Sequence, residues 1–259
     1  GRVLQRHVVE VDPAPVELEG LVRGVAELLS PRAHDKGLEI AWSVAADVPD
    51  IVADEGRLRQ VLFNLAGNAV KFAAAGGVRI AVERAGGRAG GRTARPTLAF
   101  IVDDTGPGVP PEARARIFEE FGHVDSSDAA RFDGAGLGLA VVRRLAEAMG
   151  GTVSVEDRRG GPGARFRLIA PFDPVAVDRG RPLEGQAVAV RSPDPFVAAA
   201  AAAQIEASGG RIDADADIVL IDHALAAPGE IVAAPSGRRA IVLLRPGERA
   251  LIERYRGAG

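Results

Sequence analysis

The chain has 259 residues, 47% of them apolar, which is enough for one large domain or two small domains with separate cores. Its 32 basic residues nearly balance 35 acidic ones, and the net charge of -3 argues against nucleic acid as a partner, because non-specific nucleic-acid binding requires a broad basic surface. The absence of cysteine excludes disulfides and thiolate metal sites and fits a reducing compartment such as the cytoplasm.

No apolar run is long enough to cross a bilayer, and the N-terminal residues lack the layout of a signal peptide. We therefore expect this part of the protein to make no membrane contact and to lie in the cytoplasm. This expectation holds whether or not the parent protein has a membrane anchor.

The spacing of apolar residues predicts alternating helices and strands over the first 172 residues. In chain order we expect a helix at 16–29 that ends at Ser30-Pro31, a strand at 38–44, a turn at 47–50, a helix capped by Asp54 that ends at Phe72, strands at 78–83 and 97–103, helices at 111–121 and 139–149, and strands at 152–156 and 164–170. These elements predict an α+β domain at 16–172, with helices on one face of a sheet.

Prolines and glycines at 173–185 predict a linker, after which the composition changes. Strands are expected at 186–190, 218–221 and 241–244, with a helix at 196–207. Residues 186–259 are therefore expected to form a small α/β domain with parallel strands.

Three polar side chains share one face of the predicted helix that ends at Phe72. Asn64, Asn68 and Lys71 fall within about 60° of one another, beside an apolar face that can pack on a core. An asparagine oxygen can bind Mg²⁺, and a lysine can offset phosphate charge. A solvated helix face explains the three side chains equally well, so the helix alone does not decide between the two.

Two glycine-rich segments follow. Asp104 ends a predicted strand just before Gly106 and Gly108, where a carboxylate can accept a hydrogen bond from an exocyclic amine such as that of adenine. We expect the adjacent Asp103 to have no such role. The second segment, 134–138, opens a predicted helix, and the free N–H groups there can bind phosphate. A dinucleotide-binding fold would also need flanking parallel strands, which are not predicted around it.

The order of these motifs is more specific than any one of them. The pattern Asn-x3-Asn-x2-Lys-Phe at 64–72 is followed by DDTGPGV at 103–109, IFEEF at 117–121 and GAGLGLAVVRRLAEAMGG at 134–151. The series resembles the ATP-binding domain shared by histidine kinases, DNA gyrase, heat-shock chaperones and mismatch-repair ATPases. In detail it is similar to a two-component sensor histidine kinase, over residues 16–172.

The resemblance implies the Bergerat fold, a two-layer α/β sandwich with a mixed sheet, and implies ATP and Mg²⁺ as cofactors. By the same resemblance Asn68 ligates Mg²⁺, Asn64 and Lys71 act on the phosphates as catalytic residues, and Asp104 receives the adenine amine. The remaining implied ATP-binding residues are Gly106, Gly108, His123, Arg131, Gly134, Gly136, Leu137 and Gly138.

Residues 110–133 would form a mobile lid. In it, Phe118 and Phe121 are expected to pack on the core rather than on the ligand. His123 either approaches the γ-phosphate or is a solvated lid residue.

Asn64 also bears on the type of reaction. Hydrolysing members of the superfamily have a glutamate there to activate water, and an asparagine cannot accept a proton at neutral pH. We therefore expect phosphoryl transfer to a histidine rather than a gyrase-type hydrolysis. The acceptor would lie on a dimerisation hairpin of the same protein or of its dimer mate. A response regulator or phosphotransfer protein would then receive the phosphate.

Residues 1–15 are expected to be the end of that hairpin and a linker, so the chain is interpreted as a fragment. His7 is not in the His-Glu or His-Asp context of an acceptor. Three departures from the family pattern, Asp133, Ala135 and Ala164, keep open an alternative. In it the chain is an ATP-binding pseudokinase that acts as a nucleotide-sensing scaffold.

Residues 186–259 resemble part of a receiver domain. Asp222 ends a predicted strand at the position of a receiver's phosphoacceptor. However, Arg191-Ser192 follow the first strand where an acidic pair would hold Mg²⁺, and only Asp194 is near. We expect a degenerate receiver that offers a docking or regulatory surface, with Asp222 as a possible phosphoacceptor or merely a strand cap.

Overall fold

The computed structural model describes residues 12–85, 95–120, 138–176, 180–227, 230–233 and 235–257. The chain folds as two compact units that divide near residue 177. Across the described ranges, no helix combines the length and the apolar character needed to span a membrane.

The N-terminal unit contains three helices and eight strands among its described residues. They are β1 (Ala14–Val16), α1 (Leu18–Asp35), β2 (Glu39–Val44), β3 (Asp50–Ala53), α2 (Glu55–Phe72), β4 (Gly77–Arg84), β5 (Thr97–Asp104), α3 (Gly138–Ala148), β6 (Thr152–Asp157), β7 (Ala164–Pro171) and β8 (Asp173–Val175).

The larger sheet has the strand order β2-β4-β5-β7-β6, and β5 lies at its centre. The pairs β4–β5, β5–β7 and β7–β6 are antiparallel. Helix α2 packs between α1 and α3 and against β5, and its buried residues Leu58, Leu62 and Leu65 belong to the core together with Phe100. The predicted sandwich of helices and a sheet is confirmed.

Helix α2 begins as the sequence predicts. The side chain of Asp54 accepts a hydrogen bond from the backbone N–H of Arg57 at 3.0 Å, which satisfies one of the free donors of the first turn. The polar face of α2 therefore starts from a fixed N-cap.

Helix α1 corrects the prediction that Ser30-Pro31 ends it, because the helix continues to Asp35 with Pro31 inside. Proline has no N–H to donate to the carbonyl four residues earlier, which here belongs to Glu27. The hydroxyl of Ser30 donates to that carbonyl at 3.0 Å. The serine thus replaces the hydrogen bond that the proline removes.

A second sheet was not predicted. Strands β1, β3 and β8 form it in the order β1-β3-β8, with antiparallel pairing. Each has only three or four residues, too few for an alternating pattern to be recognised. Strand β8 lies within the predicted linker, and its Pro174 is tolerated because β8 is an edge strand.

The predicted helix at 111–121 is also wrong over its described part. Two short 3₁₀ turns occupy it, at Pro111–Ala113 and Arg116–Phe118. Between them, Nε of Arg114 donates to the carbonyl of Val109 at 3.0 Å, which ties the segment back to the preceding loop.

The C-terminal unit is a parallel α/β fold, as expected from its strand and helix pattern. Its elements are β9 (Ala187–Arg191), α4 (Pro195–Ala207), β10 (Arg211–Ile212), β11 (Ile218–Asp222), β12 (Arg239–Leu243) and α5 (Ile252–Gly257). The strand order is β10-β9-β11-β12, and each pairing is parallel. The side chain of Asp194 caps α4 by accepting from the N–H groups of Phe196 and Val197.

Candidate functional site

The three polar residues of α2 are half-buried in the folded unit. The side-chain Nδ2 of Asn64 donates to the carbonyl of Gly138 at 3.4 Å, so the middle of α2 meets the first residue of α3. The ammonium of Lys71 lies 5.3 Å from the centre of the Phe72 ring, within cation–π range. Asn64 therefore joins the polar face of α2 to the start of α3.

Asp104 is a buried carboxylate at the end of the central strand, only 5% exposed. Its Oδ1 accepts hydrogen bonds from the backbone N–H groups of Gly106 at 2.8 Å and Ala164 at 3.4 Å. Both bonds reach the same oxygen, and neither uses Oδ2. The carboxylate is therefore held in one orientation by main-chain donors.

Burial raises the pKa of Asp104 above its ordinary value, because the charged form loses hydration. The hydrogen bonds from Gly106 and Ala164 oppose this shift, the neighbouring charge of Asp103 reinforces it, and Arg158 opposes it. A buried carboxylate with a raised pKa at the end of a strand is a candidate ligand-binding group.

Asp103 points to different partners. Its two oxygens form a bidentate pair with Arg165, at 2.6 Å to Nε and 3.0 Å to Nη2, and Nε of Arg79 lies 3.4 Å away. The hydrogen bond with Asp103 raises the pKa of Arg165. Asp103 is thus occupied by strand-to-strand ion pairs, and Asp104 is the carboxylate of the pair that can serve a ligand.

Glycines let the backbone approach Asp104 closely. A β-carbon on Gly106 would lie 2.8 Å from Oδ1 of Asp104, and one on Gly163 only 1.8 Å from the Asp104 carbonyl oxygen. Gly108 has φ +78°, a conformation that favours glycine, and its β-carbon would lie 3.3 Å from the Gly163 carbonyl oxygen. The backbone around Asp104 is therefore packed through close main-chain contacts.

Thr105 joins the Asp104 segment to the residues that follow α2. Its hydroxyl donates to the carbonyl of Ala75 and accepts from the N–H of Gly77 at 3.0 Å. Its own N–H donates to the Gly77 carbonyl at 3.2 Å. The segment that carries Asp104 is thus fastened to the loop that leaves α2.

Phe118 packs on the core, as expected for an anchor. It is buried, and its ring meets Phe166 edge to face with the centroids 6.3 Å apart. Several predicted residues lie outside the described part of the chain, namely Phe121, His123, Arg131, Gly134, Gly136 and Leu137. Of the glycine motif at 134–138, only Gly138 is placed, beside Asn64.

Among the described residues, no three histidine, aspartate or glutamate side chains come together in a way that could hold a metal ion. Mg²⁺ bound to a nucleotide needs no such cluster, because it takes one or two protein oxygens and completes its shell with phosphate oxygens and water. The carbonyl oxygen of Asn68 is a suitable protein ligand.

The sequence motifs do not indicate the contacts made by Gly163, by the backbone N–H of Ala164 or by the hydroxyl of Thr105. The run Gly160-Gly161-Pro162-Gly163 was a signal of a tight turn before a strand. No pattern in the sequence indicates that this turn contacts Asp104, because the two are 60 residues apart and the contacts are made by the backbone.

Asp222 in the C-terminal unit has both oxygens engaged. Oδ1 accepts from the N–H of Ala224 at 2.9 Å, and Oδ2 accepts from the hydroxyl of Ser192 at 2.6 Å. Next to it, His223 Nδ1 and the Tyr255 hydroxyl lie 2.6 Å apart, so His223 is a packing residue. The hydroxyl of Ser192 thus lies against the Asp222 carboxylate.

Residues 53–174 match the family described as histidine kinase-, DNA gyrase B-, and HSP90-like ATPase. The sensory/regulatory protein RpfC of Xanthomonas campestris is 39% identical over 184 residues, which cover 70% of this chain and 24% of RpfC. The signal transduction histidine-protein kinase BarA of Escherichia coli is 37% identical over 145 residues, 56% of this chain and 15% of BarA. The chain thus spans about a quarter or less of these relatives.

The crystal structure of full-length ShkA in complex with AMPPNP is similar to both units. It superposes with a TM-score of 0.84 at 50% sequence identity, over 97% of this chain and 54% of ShkA. The catalytic domain of the histidine kinase ThkA has a TM-score of 0.51 at 24% identity over 63% of this chain, which supports the fold alone.

Proposed function

We propose that the chain is the catalytic part of a two-component histidine kinase. Residues 53–174 match the histidine kinase-, DNA gyrase B-, and HSP90-like ATPase family, and this match, together with the likeness to RpfC and ShkA, supports an ATP-binding domain of the sensor histidine kinase type. The chain would bind ATP with Mg²⁺ and transfer the γ-phosphoryl group to a histidine. The cytoplasm, where ATP and Mg²⁺ are available, is the proposed location.

The carboxylate of Asp104 is the observation that carries this proposal. Two backbone N–H groups fix one oxygen, and the buried position excludes competing water, so Oδ2 can accept a hydrogen bond from the adenine amine. Gly106 and Gly108 let the main chain pack closely around the carboxylate. The proposed adenine site is thus specific for a group that donates a hydrogen bond.

The phosphates would lie along the polar face of α2. Asn68 would contribute its carbonyl oxygen to Mg²⁺, and Lys71 would offset phosphate charge. Asn64 already links α2 to Gly138, the last residue of the proposed phosphate-binding glycines. The other proposed contacts, His123, Arg131, Gly134, Gly136 and Leu137, lie in or beside the proposed lid.

The reaction moves the γ-phosphoryl group from the β–γ bridging oxygen of ATP to an imidazole nitrogen and leaves ADP. The histidine supplies the nucleophile, so the protein needs to position the nucleotide and offset charge rather than abstract a proton from water. Asn64 suits this task, because its amide can donate and accept hydrogen bonds but cannot take up a proton.

The acceptor histidine is proposed to lie on a dimerisation hairpin of the same protein or its dimer mate, with residues 1–15 as the end of that hairpin and a linker. We place the catalytic domain at 16–172, joined by the flanking strands β1 and β8 that pair with its β3, and a degenerate receiver-like domain at 186–259. The linker expected at 173–185 is then shortened to the residues after β8. A response regulator or phosphotransfer protein would take the phosphate onward. Because Ser192 occupies one oxygen of Asp222, we propose a docking or regulatory role for this domain rather than phosphorylation.

The test uses a longer chain that includes the hairpin, incubated with γ-labelled ATP and Mg²⁺. Acid-labile, base-stable label on a histidine is expected, and it should disappear in an Asn68→Ala variant that remains folded. Intact ATP binding without any label would reject the kinase function and favour a nucleotide-sensing scaffold. Steady phosphate release without label would instead indicate hydrolysis.

A further inference from the structure

Lys36 follows the last residue of α1, and its ammonium reaches the end of α2. Nζ donates to the carbonyl oxygens of Val70 at 2.7 Å, Lys71 at 2.8 Å and Ala73 at 2.8 Å. An ammonium has three N–H donors, and these bonds use all three. One side chain therefore donates to three carbonyl groups that have no N–H partner within the helix.

The charge of Lys36 also suits this position. The C-terminal end of a helix carries a partial negative charge from its aligned peptide dipoles, which attracts a cation. The ammonium is held by α1, whose chain turns at Gly37 with φ +70° immediately after it. Lys36 thus ties the end of one helix to the end of the next.

The turn that Lys36 holds is shared with the nucleotide site. It includes Lys71, which is proposed to face the phosphates. A β-carbon on Gly106 would lie 3.5 Å from both the Phe72 carbonyl carbon and the Ala73 nitrogen, so the segment that carries Asp104 abuts the same backbone. Thr105 binds the next residues, at Ala75 and Gly77.

We propose that Lys36 is a positioning residue for the nucleotide site. It fixes the end of α2 between α1 and the Asp104 segment, and so sets the distance between the phosphate-facing Lys71 and the adenine-facing Asp104. The inference rests on the proposed function, because Lys36 acts through these two residues and not on the nucleotide itself.

A purely structural role makes a different prediction. If Lys36 only stabilised the last turn of α2, its loss would lower the unfolding temperature, and the molecules that remain folded would bind ATP as before. If Lys36 positions the site, the folded variant binds ATP more weakly. The affinity of folded protein therefore distinguishes the two roles.

The experiment compares four variants of the 259-residue chain with the unaltered protein. Lys36→Met removes the donors and the charge, Lys36→Gln is a milder change that keeps two N–H donors, and Lys36→Arg keeps both charge and donors. Arg32→Met is the matched control, since Arg32 is exposed in the last turn of α1 and makes no described hydrogen bond or ion pair to α2. ATP–Mg²⁺ affinity is measured by calorimetry at a temperature where circular dichroism shows each variant folded.

We expect K36M to weaken binding about tenfold, K36Q by a smaller factor, and K36R and R32M by less than about threefold. Binding by K36M and K36Q equal to that of the unaltered protein would overturn the inference and leave the proposed function intact. A loss in K36R or R32M as large as in K36M would also overturn it. Absence of ATP binding by the unaltered protein would instead reject the proposed function, and the inference with it.

Discussion

Asp104 in the N-terminal unit and Asp222 in the C-terminal unit are both buried aspartates at the end of a strand. Each accepts a hydrogen bond from the backbone N–H two residues later, Gly106 at 2.8 Å and Ala224 at 2.9 Å. They differ in the second donor. The N–H of Ala164 reaches the same oxygen of Asp104, whereas the hydroxyl of Ser192 reaches the other oxygen of Asp222.

This difference leaves Oδ2 of Asp104 for the proposed ligand, whereas both oxygens of Asp222 are engaged within the protein. The bond to the residue two positions later is a local turn that aspartate forms readily. It does not decide function. The two aspartates differ because of a donor from a distant loop. At Asp104 this donor binds the oxygen that is already hydrogen-bonded, whereas at Asp222 it binds the other oxygen.

The largest effect is expected from Gly163, which brings the turn before β7 against Asp104. Gly163 has φ +129°, and a β-carbon there would lie 1.8 Å from the Asp104 carbonyl oxygen. Gly163→Ala must therefore displace the turn or the end of β5, and we expect a loss of about 3 kcal/mol in the free energy of unfolding. Chemical denaturation measures this loss, and calorimetry should show a parallel loss of ATP affinity.

Gly160→Ala is the matched control in the same turn. Gly160 also has positive φ, at +84°, but a β-carbon there would meet nothing within 4 Å. Gly160→Ala therefore introduces only backbone strain, which should lower the free energy of unfolding by about 1 kcal/mol and leave ATP affinity unchanged. Equal losses in the two variants would mean that the approach to Asp104 is not what makes Gly163 necessary.

The second effect concerns Asp104 itself. Asp104→Asn keeps the oxygen that accepts from Gly106 and Ala164 but can place an amide N–H₂ where the adenine amine would donate. We expect ATP affinity to fall roughly thirtyfold, the effect of about 2 kcal/mol from a lost charge-assisted hydrogen bond. Asp103→Asn is the control; it should lower stability through the Arg165 pair while the remaining folded protein binds ATP.

The raised pKa of Asp104 predicts that Asp104→Asn is at least as stable as the unaltered protein at neutral pH. Because burial raises this pKa, the folded state binds the proton more tightly than the unfolded chain. The charged form therefore costs stability above the raised pKa, and this cost disappears below the ordinary aspartate pKa. Asp104→Asn should equal or exceed the unaltered protein in unfolding temperature at pH 7, with the difference vanishing in acid. Lower stability at pH 7 would contradict the pKa direction.

The positions of the described candidate residues could be predicted because these residues stand in ordered local motifs. Asn64, Asn68 and Lys71 share a face by helical periodicity alone, and the Asp-x-Gly-x-Gly segment follows a strand that the apolar pattern identifies. The second donor to Asp104 could not be predicted. It is a backbone N–H, and any residue type at 164 would supply it except proline.

The errors in the fold have the same origin. Strand β3 is identified only by its partners β1 and β8, which lie far from it in the chain. Helix α1 passes Pro31 because Ser30 supplies a compensating bond, which the rule that proline ends helices does not include. Lys36 belongs to none of the motifs in the sequence, and its three acceptors are backbone carbonyls at the end of another helix. Local sequence patterns specify helices and strands, whereas polar contacts between residues far apart in the chain have no local sequence pattern.

The smallest effect is expected from a substitution of Ser192, which tests how Asp222 is held. Ser192→Ala removes the hydroxyl donor to Asp222 and the acceptor for the N–H of Asp194. We expect the C-terminal unit to lose about 1 kcal/mol in the free energy of unfolding, measured by denaturation. Ser208→Ala is the control, because Ser208 ends α4 through its backbone N–H, and that substitution should change stability by less than about 0.5 kcal/mol.

Adding Asp222→Asn separates the two contacts that Ser192→Ala removes. If the bond to the Asp222 carboxylate dominates, Ser192→Ala should cost clearly less in the Asp222→Asn background, because the charge that strengthens that bond is gone. An equal cost in both backgrounds would assign the effect to the turn at Asp194. Asp222 would then be held by Ala224 alone, and its second oxygen would be as available as that of Asp104. The contrast between the two aspartates therefore depends on a measurable coupling between Ser192 and Asp222.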